Sequence, residues 1–160
     1  MHAPPTAESR KKPELKQQFI SNKKPYALRL DMQKAVARVG ELTWRDSEKG
    51  VITATPQIFG DVVLARKETP TSYHLAVSVD DHIQGINHII RGQDLFHATH
   101  IHRLLQALLG LDTPSYHHHR LLLDKMGQKF AKRKRSPSLQ ELRLEGITPQ
   151  DVRERVGLGN

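Results

Sequence analysis

Residues 86–124 read INHIIRGQDLFHATHIHRLLQALLGLDTPSYHHHRLLLD. INHIIRG is a short β-branched run closed by Gly92, which suits a buried strand better than a helix. Beyond it, Ile101, Leu104, Leu105 and Leu108 fall at i, i+3, i+4 and i+7, the apolar stripe of an α-helix. Asp94 is placed to cap that helix and Gly110 to close it. YHHHRLLLD, residues 116–124, then predicts a second strand. Strand, helix and strand make one βαβ unit, so the two strands should run parallel with a right-handed crossover. Ligands of such sheets gather at the carboxyl ends of the strands. Arg91-Gly92 and the GQK of residues 127–129 fall there. The expected fold class is α/β.

Working outward, YALRLDM (residues 26–32) alternates in the manner of a half-buried strand. DVVLAR (61–66) and SYHLAVSVDD (72–81) predict two more, joined by a turn around Pro70. Between YALRLDM and DVVLAR, Trp44 to Gly50 lies in a glycine-punctuated stretch. PSLQELRLEG and TPQDVRERVG, after Pro137, predict two short C-terminal helices, the second with Thr148 as cap and Pro149 at its first position. The opening MHAPPTAESRKKPELKQQFISNKK, residues 1–24, predicts a flexible basic arm in which Pro13–Asn22 makes at most one short helix. Residues 25–160 are expected to form the domain.

Composition narrows the function classes. The 160 residues carry 25 Lys and Arg against 17 Asp and Glu, a formal net charge of +8, and ten histidines. A polyanionic partner fits that balance, although charge selects no particular one. There is no cysteine, which excludes disulfides and thiolate metal sites and accords with a reducing, cytoplasmic setting. No apolar run approaches the roughly 20 residues of a membrane helix. His97, His100, His102 and His117 to His119 have no spacing of four and no completing carboxylate, so a metal centre, zinc included, is not expected.

Several residues carry two readings. Lys129 to Arg135 is either a solvated charge cluster or a phosphate-handling loop after a core strand, with Phe130 as its anchor. Tyr73 and Arg91 are either a strand tyrosine and an edge arginine held structurally, or a phenol and a guanidinium directed at a carboxylate. Asp80 and Asp81 are either a turn before Gly85 or paired carboxylates, the latter only inside a pocket.

The linked set SYHLA, VDD, IIRG and KFAKR resembles the second half of the catalytic domain of class I glutamyl-tRNA synthetases. GQKFAKR is similar to that family's KMSKS loop, residues 129–133, with Ala131 where serine is usual. The resemblance implies the C-terminal half of a Rossmann-like catalytic domain, with a β-rich inserted segment and C-terminal helices. It implies that Tyr73 and Arg91 hold glutamate, that Lys132 is the catalytic contact to the phosphates of ATP, brought as a substrate with Mg2+, and that Lys129 is a weaker ATP contact. Within the family, valine at position 77, where the discriminating enzymes typically carry asparagine, and the 24 residues after Ser136 resemble the short glutamyl-Q tRNA(Asp) synthetases, which place glutamate on the queuosine of tRNA(Asp).

The His-Ile-Gly-His signature of the first half of the fold is absent from the sequence. The expectation is therefore a truncated or split enzyme, inactive alone and paired with an N-terminal half on another chain. The alternatives are a non-catalytic basic module that binds tRNA or other RNA, and a C-terminally cut glutamyl-tRNA synthetase.

Overall fold

The computed structural model describes residues 21, 27–66, 68–123, 126–130 and 137–159. The chain divides into two units, residues 1–119 and 120–160. The expected N-terminal arm lies outside the described residues except for Ser21, as do Lys132 and the rest of 131–136.

In the first unit, β1 (Leu28–Arg29) pairs antiparallel with β4 (Val63–Ala65). Between them come α1 (Met32–Val39), the hairpin β2 (Thr43–Asp46) and β3 (Gly50–Thr53), and a 3-10 turn at Pro56–Phe59. α2 (Tyr73–Ile83), β5 (His88–Gly92), a second 3-10 turn at Gln93–Leu95, α3 (Ala98–Leu109) and β6 (Ser115–His119) follow. The larger sheet has the order β3-β2-β6-β5. β5 and β6 pair parallel along their length, and β2 joins β6 in parallel at Asp46 opposite Tyr116. The predicted βαβ unit is thus present, with Gly110 closing α3 in the left-handed conformation (φ 67°).

Four expectations change. SYHLAVSVDD is not a strand but the body of α2, because the Ser72 hydroxyl accepts from the Leu75 N–H and the helix packs on α3. Valines such as Val77 and Val79 favour strands only weakly, and tertiary packing overrides that preference. YALRLDM yields only the two residues of β1 before Asp31 caps α1 through the Lys34 N–H. α3 begins at Ala98 with His97 at its cap position, and Asp94 sits in the preceding 3-10 turn. β6 ends at His119, and among the described residues Leu123 continues only as an isolated bridge to Lys129.

Two apolar groups hold the unit. Met32, Ala35 and Leu104 are buried together, with Val36, Val39, Leu42 and Leu108 packed around them. Trp44, 3% exposed, is ringed edge-on by Phe96, His100, Tyr116 and His118 at centroid distances of 5.0 to 5.9 Å. Such edge-to-face pairs each add about 0.5–1.5 kcal/mol beyond burial.

The second unit holds α4 (Leu139–Leu144) and α5 (Pro149–Arg155). Each has a capping box, Ser138 with Glu141 and Thr148 with Asp151, and Pro149 opens α5 as the sequence predicts. No helix among the described residues is long and apolar enough to cross a membrane.

Candidate functional site

Arg91 is the penultimate residue of β5, so the strand delivers its side chain to the carboxyl end of the sheet. There it meets polar groups from three other elements. Its Nε donates to His118 Nε2 at 3.1 Å, Nη1 to His102 Nδ1 at 3.2 Å, and Nη2 to Thr99 Oγ1 at 2.6 Å and to the Leu95 carbonyl at 3.4 Å. Its carbon centre also lies 5.2 Å from the Tyr116 ring centroid, a cation–π approach. Thr99 and His102 come from α3 and His118 from β6, where positions 116 and 118 share the inward face.

Behind His118 stands a carboxylate. Asp46, at the end of β2, accepts from His118 Nδ1 at 2.7 Å, and both side chains are fully buried. The other Asp46 oxygen accepts the Glu48 and Lys49 amides at 3.0 and 3.1 Å, which closes the β2–β3 turn. Burial pushes the Asp46 carboxyl up, but the His118 bond and the two amides outweigh it and hold the pKa below the usual carboxylate value. Burial pushes His118 down and the Arg91 charge adds to it, and together they outweigh what the bond to Asp46 restores.

On the other side of Arg91, His102 Nε2 meets His74 Nδ1 at 3.0 Å. An arginine cannot accept, so His102 receives at Nδ1 and must donate from Nε2 to His74. Burial above all, then the Arg91 charge, lowers His102 to about 3. His74 is lowered by the same two causes. Both rings are therefore neutral at pH 7.

The Tyr73 ring lies 5.7 Å from that of His102, so Tyr73 and Arg91 both neighbour one imidazole. Tyr73 is 52% exposed at the first turn of α2. A cleft of about 490 Å³ opens there, with Arg29, Asp61, Arg66, Ser72, Tyr73 and His74 on its wall. Val77 falls one helical turn after Tyr73, on the same face of α2. Asp80 and Asp81 belong to α2 rather than to a turn. Burial raises the Asp81 carboxyl, against the pull of Arg91.

The second unit carries Lys129, exposed and bridged to Leu123, while Lys132 lies outside the described residues. Phe130 is 49% exposed and does not anchor the loop in a core as expected. No cluster of three or more His, Cys, Asp or Glu suited to a metal ion occurs among the described residues.

The Asp46–His118 pair, Thr99, His102 and His74 were not singled out by sequence as parts of one site. One signal was available, the polar stripe Thr99, His102 and Gln106 at i, i+3 and i+7, since a polar stripe on a buried helix needs partners.

The carboxyl end of the sheet, where ligands of α/β domains gather, thus presents a cation held by neutral acceptors, near a phenol and a cleft lined by Arg29, Arg66 and Asp61. The family model for the catalytic domain of class I tRNA synthetases (E and Q) matches residues 3–158, and the chain belongs to that family. It is 46% identical over 136 residues to the glutamyl-Q tRNA(Asp) synthetase of Rhodobacter capsulatus, covering 82% of this chain and 49% of the relative. To a glutamate–tRNA ligase of Thermus thermophilus it is 33% identical over 146 residues, covering 91% of this chain and 30% of the relative. Among solved structures it is similar to a glutamate tRNA ligase from Elizabethkingia meningosepticum in complex with its amino acid. That likeness has a TM-score of 0.60 and 28% identity, covering 77% of this chain and 24% of that one. The chain thus spans about half the length of the first of these relatives and under a third of the others.

Proposed function

We propose that this chain carries the glutamate-binding and phosphate-handling half of a catalytic domain that activates glutamate with ATP and passes it to a tRNA. Tyr73 and Arg91 hold the amino acid, Lys132 contacts the phosphates of ATP bound with Mg2+, and Lys129 is a secondary contact. The glutamate α-carboxylate attacks the α-phosphorus, pyrophosphate leaves, and the glutamyl adenylate then yields its acyl group to the acceptor with AMP as the leaving group. The observation that carries this reading is Arg91 itself, a guanidinium at the carboxyl end of β5 held by neutral acceptors, with Tyr73 against the same His102 ring.

The acceptor we propose is the queuosine of tRNA(Asp), in the cytoplasm. The higher identity to the glutamyl-Q relative and the valine at 77 support it over a C-terminally cut glutamyl-tRNA synthetase. The basic arm of residues 1–24 would precede the partial catalytic domain of 25–160. Mutual positioning of ATP and carboxylate supplies about 7–11 kcal/mol of such a barrier. With no His-Ile-Gly-His within the 160 residues, activation is expected only beside a polypeptide that carries it.

The test is glutamate-dependent exchange of pyrophosphate into ATP, by the chain alone and with the N-terminal half of the Rhodobacter relative. Exchange is expected only in the mixture. Arg91→Ala should lower it by about 100-fold or more, since hydrogen bonds to a charge are each worth about 1.5–3 kcal/mol. Transfer to tRNA(Asp) rather than tRNA(Glu) then identifies the acceptor. No exchange in either sample sinks the catalytic reading, and salt-dependent RNA binding would then favour a non-catalytic module.

A further inference from the structure

We propose that the buried Asp46–His118 pair is the positioning device of Arg91, fixing the protonation of the imidazole so that the guanidinium points one unspent N–H at a ligand carboxylate. The inference rests on the reading of Arg91 as a glutamate contact. Two neighbours of His118 require the same tautomer, and a third fits it. The Asp46 oxygen, which can only accept, faces Nδ1 at 2.7 Å. Arg91 Nε, which can only donate, faces Nε2 at 3.1 Å. Thr99 Oγ1, which accepts from Arg91 Nη2 at 2.6 Å, turns its hydroxyl hydrogen to the same Nε2 at 3.3 Å. All three are served only when Nδ1 carries the hydrogen and Nε2 is bare.

Arg91 then has a fixed plane. Of the five guanidinium N–H groups, the Nε–H, one on Nη1 and both on Nη2 are given to His118, His102, Thr99 and Leu95. Among the described residues, the second Nη1 hydrogen has no acceptor, and it is the one left for a ligand. A packing role alone would not need an ionised, fully buried carboxylate, because an apolar pair of similar volume is often as stable.

The two oxygens of Asp46 have separate tasks, which makes the pair testable. In Asp46→Asn the carbonyl must stay on the Glu48 and Lys49 amides, since both of those groups donate. The amide nitrogen is thereby turned on His118 Nδ1 and donates to it. The imidazole must move its hydrogen to Nε2, where it confronts the Arg91 Nε–H. The turn survives and the tautomer inverts.

The experiment is long-range 1H–15N correlation of the histidine rings in the full 160-residue chain, with the Arg91 Nε–H followed alongside and glutamate affinity measured in the complemented mixture. The wild-type chain should show His118 protonated at Nδ1. Asp46→Asn should show it protonated at Nε2, with the Arg91 Nε–H exposed to exchange and glutamate KM raised about tenfold, the scale of one hydrogen bond to a charge. His118→Gln offers an oxygen near the Nε2 position and should keep KM within about threefold, whereas His118→Leu, which offers no acceptor, should lose about tenfold. That contrast also decides the matter should Asp46→Asn fail to fold. An unchanged tautomer in Asp46→Asn overturns the proposal, as does an inverted one with unchanged KM, or equal losses in the Gln and Leu variants. A wild-type chain with the stated tautomer that binds no glutamate even when complemented overturns the glutamate reading and leaves the orientation of Arg91 supported.

Discussion

Helices α3 and α5 are built on opposite terms. α3 has no side-chain cap at His97, no acidic residue in its first turn and no basic one in its last, yet seven of its residues, Thr99 to His102 and Leu104 to Gln106, are buried. α5 has a full capping box, a proline at its first position and two arginines in its last turn, and none of its residues is buried. One helix is held by what it packs on and the other by its own ends. The site depends on the first kind, because Thr99 and His102 keep their positions against Arg91 only while the apolar side of α3 is seated.

The strongest test of that contrast is Leu104→Ala. Leu104 is wholly buried between α1 and α3, and truncating it should lower unfolding stability by about 2–5 kcal/mol. Denaturant titration of the first unit's tryptophan fluorescence measures this. A loss under about 1 kcal/mol, the average for any substitution, would mean that the packing of α3 is not what holds it.

Acid sharpens the comparison next. His102 is held at about 3 in the folded chain and titrates near 6.5 once unfolded. The folded pKa is depressed, so the unfolded chain takes up the proton first. Stability is complete above about pH 6.5 and falls as the pH drops from there toward 3. The slope for His102 alone is about 1.4 kcal/mol per pH unit. Burial lowers His74, His100 and His118 as well, which steepens the same loss. Denaturation midpoints at pH 7.5 and 5.5 should therefore differ clearly in the first unit, and equal midpoints would contradict the burial of neutral imidazoles.

The same division explains what the sequence revealed. Each capping box spans only four residues, with Pro149 inside the second, so α4 and α5 are legible as local chemistry. The stripe of α3 and the β-branched run of β5 are also local, and the parallel pair follows from them by connectivity. α2 departs from the strand expected over SYHLAVSVDD because Ser72 caps it and it packs on α3, and α1 is hidden because alternation over YALRLDM runs into the Asp31 cap. Arg91 and Tyr73 stand out in the sequence through their motifs, while the network around them does not. Asp46 and His118 are 72 positions apart, and nothing in either neighbourhood reveals that the two side chains are buried together.

The smallest effect belongs to the locally built helix. The Thr148 hydroxyl accepts from the Asp151 N–H at 3.2 Å and donates to the Asp151 carboxylate at 2.6 Å, while that carboxylate also accepts the Thr148 N–H at 2.8 Å. These bonds draw the Asp151 carboxyl below its usual value. Thr148→Ala removes both hydroxyl bonds and leaves the carboxylate–amide half of the box, so the cost should be about 1 kcal/mol. With no buried residue to compensate, that loss should appear undiminished as about fivefold faster hydrogen exchange of the α5 amides. A cap of the same kind matters less where burial holds the helix. Ser72→Ala in α2 should therefore leave the exchange of amides near buried Ser78 closer to wild type than Thr148→Ala leaves those of α5. Equal acceleration in the two helices would remove the distinction between a helix held by its contacts and one held by its ends.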